Sequence, residues 1–520
     1  MRVLLMHPDR DWDQGPALAT SFRTFRRSPM PELPRHEQAL VQDLALETLV
    51  DAMADGDDFL LEVARRALLS GLRDDVDTIL HRQAIVQDCL KNAVVVRELY
   101  ALAVDTIGAK RKYYIDGNVR YPSSILYSAI EALQMFVAML RKLKAISDAH
   151  AGRFESRGLT TLFAMLQQEF GDEYFARVEN HLAELKFRRG ILVSAVLGEG
   201  GEGTNYVLHQ PRDDPRNWLE RLLGHGSLGY TFYIHERDEA GARALGELQD
   251  RGIDLVADAL AQSTDHILSF FEVLRGELAF YVGCLNLHDK LAALGMPLSF
   301  PQPGAIGVRR LHCNGLYDAC LALSTARTVV GNAVKADGKS LVIITGANQG
   351  GKSTFLRSIG LALVMMQCGM FVPAESFAGE LSAGLFTHYK REEDATMTHG
   401  KLDEELARMS QIVDTIRPNA TLLFNESFAS TNEREGSEIA RQIVSALLDK
   451  RIKVFFVTHQ YDFARGMFER NMEDATFLRA ERQPDGTRTF RLVEGEPLET
   501  SFGEDLYGEI FTADAPVLNA

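Results

Sequence analysis

Leu341-Val342-Ile343-Ile344-Thr345-Gly346-Ala347-Asn348-Gln349-Gly350-Gly351-Lys352-Ser353-Thr354 is the stretch that decides the fold. Residues 341–345 form a short apolar, β-branched run, which is typical of a buried strand, and residues 354–366 have helical spacing. The eight residues between them fit G-x-x-x-x-G-K-[ST], and a phosphate-binding loop requires this order of strand, glycine loop and helix. The alternative is a glycine-rich turn that only mimics the pattern, and both flanks argue against it.

The residue types of this loop suit a nucleotide with Mg²⁺. Glycines let backbone N–H groups close around phosphate oxygens, and the following helix points its positive end at the anion. Lys352 supplies a charge for the β and γ phosphates, and Ser353 offers its hydroxyl to Mg²⁺. The candidate nucleotide-binding residues are Gly346, Ala347, Asn348, Gln349, Gly350, Gly351, Lys352, Ser353 and Thr354.

A second strand ends in polar residues that suit the same chemistry. Residues 420–424 read as a buried strand, and Asn425 and Glu426 follow it at once. In the usual arrangement an Asp holds Mg²⁺ at the first position and a Glu orients the attacking water at the second. We expect Glu426 to be catalytic. Asn425 is a metal-site candidate that brings no charge, so weaker Mg²⁺ retention is expected. The alternative is a strand end that simply meets solvent.

A third strand end carries a histidine. Residues 454–457 are apolar, and Thr458 and His459 follow them at the carboxyl edge of the expected sheet, where ligands of α/β sheets bind. His459 is a candidate sensor of the γ-phosphate or of the attacking water, and we count it with Lys352 and Glu426 as catalytic. A purely structural histidine is the alternative.

Composition limits the classes of function. The 520 residues include 56 basic and 72 acidic side chains, giving a net charge of −16, which is unlike a uniformly basic nucleic-acid binder. The five cysteines form no C-x-x-C pair, which indicates reduced thiols and a cytoplasmic protein. No stretch approaches ~18 apolar residues, so we expect no membrane partner.

The chain divides into parts that differ in predicted secondary structure. Residues 1–34 are expected to be an N-terminal segment with a short strand. Residues 35–296 are mostly helical, with a β insertion at about 186–210 around a glycine-rich turn and a long helix at about 253–294. Residues 297–520 alternate strands and helices, with strands expected at 341–345, 421–424 and 453–457 and a hairpin of 476–480 with 489–493. The predicted fold is therefore multidomain: a mainly α-helical domain followed by an α/β phosphate-loop domain.

The residues that carry this pattern also resemble a known family. LVIITGANQGGKSTFLRSIGLALVMMQCGMFVPAE, at 341–375, closely resembles the ATPase domain of MutS, the DNA mismatch repair protein. Phe456-Val457-Thr458-His459 resembles the family's histidine switch, and Thr500-Ser501-Phe502-Gly503 its closing motif. The helices around 79–83 and the long helix resemble, more weakly, its core and lever. The resemblance covers about 37–520 and is strong only in the last third.

The resemblance implies an ABC-class ATPase head on a helical lever, with ATP and Mg²⁺ as cofactors. It also implies a homodimer in which each nucleotide is completed by the partner's signature loop. Several departures stand out. We expect no counterpart of the family's mismatch-reading N-terminal domain, because the core-like helices begin almost at the start of the sequence. The Ser-Thr-Phe signature falls on Gly400-Lys401-Leu402, with Glu405 downstream, and the serine hydroxyl is lost. Lys401 either adds charge at the γ-phosphate or is a solvated surface lysine.

Three hypotheses for function follow. The first is an ATPase switch that clamps DNA through sequence-independent backbone contacts, or binds a DNA-repair protein, without reading mismatches. The second is a nucleotide-gated scaffold with vestigial hydrolysis. The third is an ATPase that moves a protein partner and never touches nucleic acid. The candidate DNA-contacting clusters are Lys110-Arg111-Lys112, Arg141-Lys142-Lys144 and Lys186-Arg188-Arg189.

Overall fold

The computed structural model describes residues 2–10, 12, 35–71, 75–113, 121–188, 190–209, 232–391 and 400–499. The contacts within the chain form two compact units. The first contains residues 1–3, 97–154 and 160–275, and the second contains residues 4–96, 155–159 and 276–520.

The contacts thus divide the chain differently from the sequence-based boundary at 296/297. Residues 35–96 belong to the second unit because their helices pack on its sheet and helices. The helices before the β insertion are α1 Arg35–Asp43, α2 Leu46–Ala54, α3 Asp58–Ser70, α4 Val76–Lys91, α5 Ala93–Tyr113, α6 Pro122–His150, α7 Arg157–Glu169 and α8 Asp172–Glu184.

Helix α6 modifies the expectation that no segment is apolar enough to cross a membrane. The segment 122–153 meets that test by length and composition, with a mean hydropathy of 1.4 over its most apolar 18 residues. About 44% of that window is buried inside the protein, and Leu126, Ile130 and Leu133 pack in a cluster with Leu182 and Ile253. A core helix of a soluble protein passes the same test, so this helix is weak evidence for a membrane span.

The β insertion is present as a two-stranded antiparallel hairpin. Strand β1, Leu192–Leu197, pairs with β2, Gly203–His209, across the glycine-rich turn. Most residues of both strands are exposed, including the apolar Val196 and Leu197 at 59% and 78%. The hairpin therefore buries little of its own surface.

The long helix is longer than the sequence pattern predicts. Helix α9 runs through Glu239–Ala293, 55 residues, or about 80 Å at 1.5 Å per residue. Its start was missed because Gly241, Gly246 and Gly252 lower helix propensity there and the helix surface in that region is largely exposed. Phe271, in the second half of this helix, is fully buried.

A six-stranded sheet forms the centre of the second unit, in the order β12-β11-β6-β10-β9-β8. Neighbouring strands are parallel except β12, which pairs antiparallel with β11. The predicted strands and the hairpin are therefore confirmed. The strands are β6 Leu341–Gly346, β8 Leu385–Tyr389, β9 Thr421–Asn425, β10 Lys453–Val457, β11 Ala475–Arg482 and β12 Arg488–Glu494.

A separate four-stranded sheet, in the order β3-β7-β4-β5, was not predicted. Its strands are β3 Gln302–Gly304, β4 Leu311–Leu316, β5 Asn332–Lys335 and β7 Ser376–Glu380. The remaining helices are α10 Ala319–Thr325, α11 Lys352–Gln367, α12 Lys401–Thr415, α13 Glu433–Asp449 and α14 Tyr461–Phe468. Helix α11 follows the phosphate-loop pattern and is buried along almost its whole length, so the loop is anchored on a rigid element.

Residues 4–10 of the N-terminal segment belong to the second unit and are held there by hydrogen bonds to side chains rather than by strand pairing. Residues 2–10 form no strand, so the expected short strand is absent from the described part of residues 1–34. The buried carboxylate of Glu277 accepts hydrogen bonds from the backbone N–H groups of Leu5 (2.5 Å) and Met6 (3.0 Å). The Nε atom of Arg82 donates to the Met6 carbonyl at 2.7 Å. Hydrogen bonds to the side chains of Glu277 and Arg82 thus hold this segment in place of the expected strand pairing.

The five cysteines, all among the described residues, are buried and form no disulfide. Burial raises the pKa of Cys313 and Cys320 to about 12. These thiols therefore stay protonated and pack as small apolar side chains.

Candidate functional site

The glycine loop between β6 and α11 adopts a conformation that few side chains tolerate. Gly346, Gln349 and Gly351 have φ angles of 105°, 57° and 87°. A Cβ atom on Gly346 would lie 2.8 Å from the backbone nitrogen of Ala480, and one on Gly350 would lie 2.6 Å from the Ala480 Cβ. Strand β11 therefore packs too closely for side chains at these positions. The loop ends where α11 begins, so the free N–H groups of the first helical turn are available to an anion.

Lys352 places a positive charge inside this loop. Its Nζ atom donates hydrogen bonds to the carbonyl oxygens of Gly346 (3.0 Å) and Ala347 (2.9 Å), and the residue is only 5% exposed. Burial lowers the Lys352 pKa to about 8, an effect that Glu426 opposes and Arg488 reinforces. Charged phosphate oxygens are stronger acceptors for an ammonium than neutral carbonyls. The lysine therefore fits an anionic ligand.

The two candidate metal residues are brought together across the sheet. The hydroxyl of Ser353, at the start of α11, donates to the Oδ1 atom of Asn425, at the end of β9, over 2.8 Å. Both groups are neutral oxygen donors of the kind that Mg²⁺ accepts when phosphates supply most of its charge. No group of three or more His, Cys, Asp or Glu side chains suited to a metal occurs in the described parts of the chain.

Glu426 and His459 form a pair at the carboxyl ends of neighbouring parallel strands. The Nε2 atom of His459 lies 2.8 Å from the Oε1 atom of Glu426, and each side chain is 32% exposed. The Glu426 N–H donates to the carbonyl of Val457 at 2.9 Å, which fixes the strand end. The hydrogen bond from His459 is the main cause that lowers the pKa of Glu426. An ionised carboxylate here can orient a water molecule or accept its proton.

Lys352, Ser353, Glu426 and His459 line one cavity of about 480 Å³, whereas Asn425 is not among its lining residues. Its polar side holds loop residues 348–354 with Glu426 and His459. Its other side is mainly apolar and includes Tyr317, Leu321, Val329, Val330 and Phe490. A lining that combines polar and apolar groups fits a nucleotide, whose phosphates and base differ in the same way.

Sequence reasoning missed the contribution of the β11–β12 hairpin to this cavity. The hairpin was predicted, but its contact with the loop was not. Arg488 donates through Nε to the carbonyl of Asn348 at 3.1 Å, and Phe490 lies beside Gly351. The contact depends on β11 lying next to β6, which no local pattern in the sequence reveals.

The region that replaces the family signature lies elsewhere. Gly400 is the N-cap of α12, and Lys401 is the first residue of the helix. Neither residue lines the described cavity. The closing motif Thr500-Ser501-Phe502-Gly503 lies outside the described residues.

The candidate DNA-contacting clusters are partly neutralised by ion pairs. Arg141 makes a bidentate contact with Glu179, at 3.2 and 3.0 Å, and Lys144 pairs with Asp148. Lys186 lies 3.3 Å from Glu131. Arg188 and Lys142 are exposed. The side chains of Lys110, Arg111, Lys112 and Arg189 lie outside the described residues.

Comparison with known families agrees with this geometry. Residues 74–294 match the family model of the MutS2 N-terminal domain, and residues 342–510 match that of MutS domain V. The chain belongs to the MutS family. The second match contains Glu426, His459 and the whole phosphate loop.

The curated relatives of this MutS-family chain have modest identity. It is 28% identical over 195 residues to the mouse MutS protein homolog 4, covering 36% of this chain and 20% of that protein. It is 28% identical over 226 residues to the DNA mismatch repair protein MutS of Lactobacillus helveticus, covering 40% and 26%. The protein of the same name from Lactobacillus gasseri is 23% identical over 428 residues, covering 77% and 49%. The chain thus spans about a fifth to a half of the length of these relatives.

Proposed function

We propose that this protein binds ATP with Mg²⁺ and hydrolyses it slowly, using the nucleotide as a conformational switch in DNA repair or recombination. The observation that carries the proposal is the convergence of Lys352, Ser353, Asn425, Glu426 and His459 on one edge of the parallel sheet. Family membership supports the same reading.

Each residue has a distinct part in this proposal. Lys352 and the N-terminus of α11 hold the phosphates, and Ser353 and Asn425 would hold Mg²⁺. The metal would neutralise phosphate charge as the bond to the γ-phosphate breaks. Glu426 orients the attacking water and accepts its proton. His459 fixes the Glu426 carboxylate and senses the γ-phosphate.

Two substitutions predict slow turnover. Asn425 brings an amide oxygen where a carboxylate is usual, so the protein adds no negative charge to the metal site. Gly400 offers a backbone N–H and the positive end of α12 instead of a serine hydroxyl. In our proposal a second copy of the chain presents this helix end to the nucleotide, so the active form is a homodimer joined through its heads.

The proposed role on DNA is limited to backbone contacts. Arg188, beside the exposed β1–β2 hairpin, and Lys142 are the described candidates for phosphate contacts, whereas Arg141, Lys144 and Lys186 already have carboxylate partners. We therefore expect weak, sequence-independent binding by a cytoplasmic protein, with a shallow dependence on salt.

DNA binding is tested by titrating duplex and branched DNA against the protein across a salt series, with and without ATP. The proposal predicts binding that weakens as salt rises and that nucleotide modulates. Arg188→Glu should weaken it, whereas Arg177→Glu, an exposed arginine paired with Glu173, serves as the control. No salt-sensitive binding in any nucleotide state would remove DNA from the proposal.

A second candidate is a nucleotide-gated scaffold that acts on a protein partner. The neutral Asn425, the missing signature hydroxyl and the ion-paired basic clusters favour it. In this alternative ATP binding joins two heads and hydrolysis is vestigial. Mg²⁺-dependent turnover well above background would exclude it.

A further inference from the structure

The loop that follows Glu426 has an unusual backbone. Glu426 and Phe428 have φ angles of 54° and 62°, in the left-handed region that side chains with a Cβ seldom occupy. Such conformations persist only where the surroundings hold them. The groups that hold this loop therefore also set the position of the Glu426 carboxylate.

His388, on β8, binds the residue next to Glu426. Its ring is fully buried, stacks on Phe428 at 5.2 Å between centroids and lies 5.7 Å from the ring of Phe424. Its Nδ1 atom is 2.7 Å from the hydroxyl of Ser427, and its Nε2 atom is 3.0 Å from the carbonyl of Glu405.

The protonation of the ring follows from these partners. A carbonyl oxygen only accepts, so Nε2 carries a proton and donates to Glu405. Burial lowers the pKa of His388 to about 4, so the ring is neutral and Nδ1 is an acceptor. The single hydroxyl hydrogen of Ser427 is shared between Nδ1 and the backbone carbonyl of His388, which lies 2.5 Å from the hydroxyl oxygen. One tautomer thus joins α12, through Glu405, to the loop beside the candidate catalytic carboxylate.

Glu405 holds the same loop with its side chain. Its carboxylate accepts the Phe428 N–H at 2.9 Å and the Ser430 hydroxyl at 3.1 Å, and the residue is only 3% exposed. Arg408, one turn further along α12, donates to the carbonyl of Tyr389 at the end of β8. Residues of helix α12 and strand β8 therefore together bind Ser427, Phe428 and Ser430 through hydrogen bonds and ring packing.

We propose that His388 is a positioning residue that transmits the placement of helix α12 to Glu426. This inference rests on the proposed function, in which the N-terminus of α12 meets the nucleotide of a second head. Glu405 lies in the second turn of that helix, so a shift of α12 moves the Glu405 carbonyl and carboxylate with it. His388 and Glu405 then shift Ser427 and Phe428. The Glu426 carboxylate thereby moves between a position that can orient the attacking water and one that cannot.

The decisive variants separate the ring's hydrogen bonds from its packing. His388→Phe keeps an aromatic ring against Phe424 and Phe428 but removes both hydrogen bonds. Phe386→Leu, two residues earlier on β8 and in the same core cluster as Phe424 and Phe428, perturbs packing but removes none of these hydrogen bonds. We expect His388→Phe to lower kcat at least ~10-fold, because small misplacements of a catalytic group have large effects on rate, with the Kd for ATP within about twofold. Phe386→Leu should leave both values near those of the parent.

A double-mutant cycle tests whether His388 acts on Glu426 through Ser427. If His388 acts through Ser427, then His388→Phe combined with Ser427→Ala should lower kcat no further than the more severe single variant. Independent, multiplying effects would overturn the proposal. His388→Gln, which retains an amide donor towards Glu405, gives a second variant if the phenylalanine variant folds poorly.

Hydrogen–deuterium exchange tests the role of His388 whether or not the protein hydrolyses ATP. An inactive parental protein would refute hydrolysis without deciding the role of His388. Exchange is then compared, with and without ATP, for peptides covering 401–409 and 425–432. We expect nucleotide to change both peptides together in the parent and in Phe386→Leu, and only the first in His388→Phe. The proposal would be contradicted if ATP still changed exchange in both peptides together in both His388 variants. It would also be contradicted if ATP did not change the two peptides together in the parent.

Discussion

The Nε2 atom of His459 lies 2.8 Å from the Oε1 atom of Glu426, and the two residues come from the ends of adjacent parallel strands. This pairing has a chemical consequence. The histidine holds the pKa of the glutamate below its usual value, so the carboxylate is ionised at neutral pH and available to a water molecule. The same edge of the sheet carries the buried Lys352 and the Ser353–Asn425 contact.

Asn425→Asp should strengthen the metal site. The substitution adds a carboxylate next to the Ser353 hydroxyl, and we expect the Mg²⁺ concentration for half-maximal ATPase activity to fall by about tenfold, or ~1.4 kcal/mol. Asn432→Asp is the matched control, because Asn432 caps α13 through the Glu435 N–H and Asp caps equally well. An unchanged Mg²⁺ requirement in Asn425→Asp would show that this position does not contact the metal.

The buried Lys352 predicts two opposite effects of pH. Its pKa is about 8 in the folded, nucleotide-free protein and about 10.5 when unfolded, so the unfolded chain binds more protons between these values. The free energy of unfolding contributed by this group therefore rises as the pH increases from 8 to 10.5. ATP affinity should fall over the same range, because the lysine loses its charge.

Lys352→Met isolates this contribution. Urea unfolding of both proteins at several pH values should show that the parent gains stability relative to Lys352→Met above pH 8. A constant difference across that range would mean that the lysine is not desolvated as the structure indicates.

Much of the second unit could be predicted from the sequence, because its strands are short apolar runs that end in polar residues. The strands that begin at Leu341, Thr421 and Lys453 follow this rule. The four-stranded sheet does not, since its strands are only three to six residues long and three of the four contain glycine or proline. The contacts of Arg488 and His388 could not be predicted either, because they depend on which strands become neighbours.

Gly369 and Gly56 test how tightly the phosphate-loop helix is anchored. Both have positive φ angles, 76° and 86°, but a Cβ on Gly369 would lie 2.5 Å from the Arg82 Cβ, whereas one on Gly56 would meet nothing within 4 Å. Gly56→Ala should therefore cost only the backbone strain, about 1 kcal/mol. Gly369→Ala should cost about 1–3 kcal/mol more, because the core is overpacked. Equal losses in the free energy of unfolding of the two variants, measured with urea, would show that α4 moves to make room for the added Cβ.

The central claim is that this site hydrolyses ATP by means of Glu426. The most direct test is the steady-state Mg²⁺-dependent ATPase rate of the parental protein and of Glu426→Gln, with ATP binding measured in parallel. Glu438→Gln, an exposed glutamate on α13 paired with Arg441, is the control. We predict that Glu426→Gln lowers kcat at least ~100-fold and leaves the Kd for ATP nearly unchanged. Hydrolysis by Glu426→Gln at the parental rate would contradict the account.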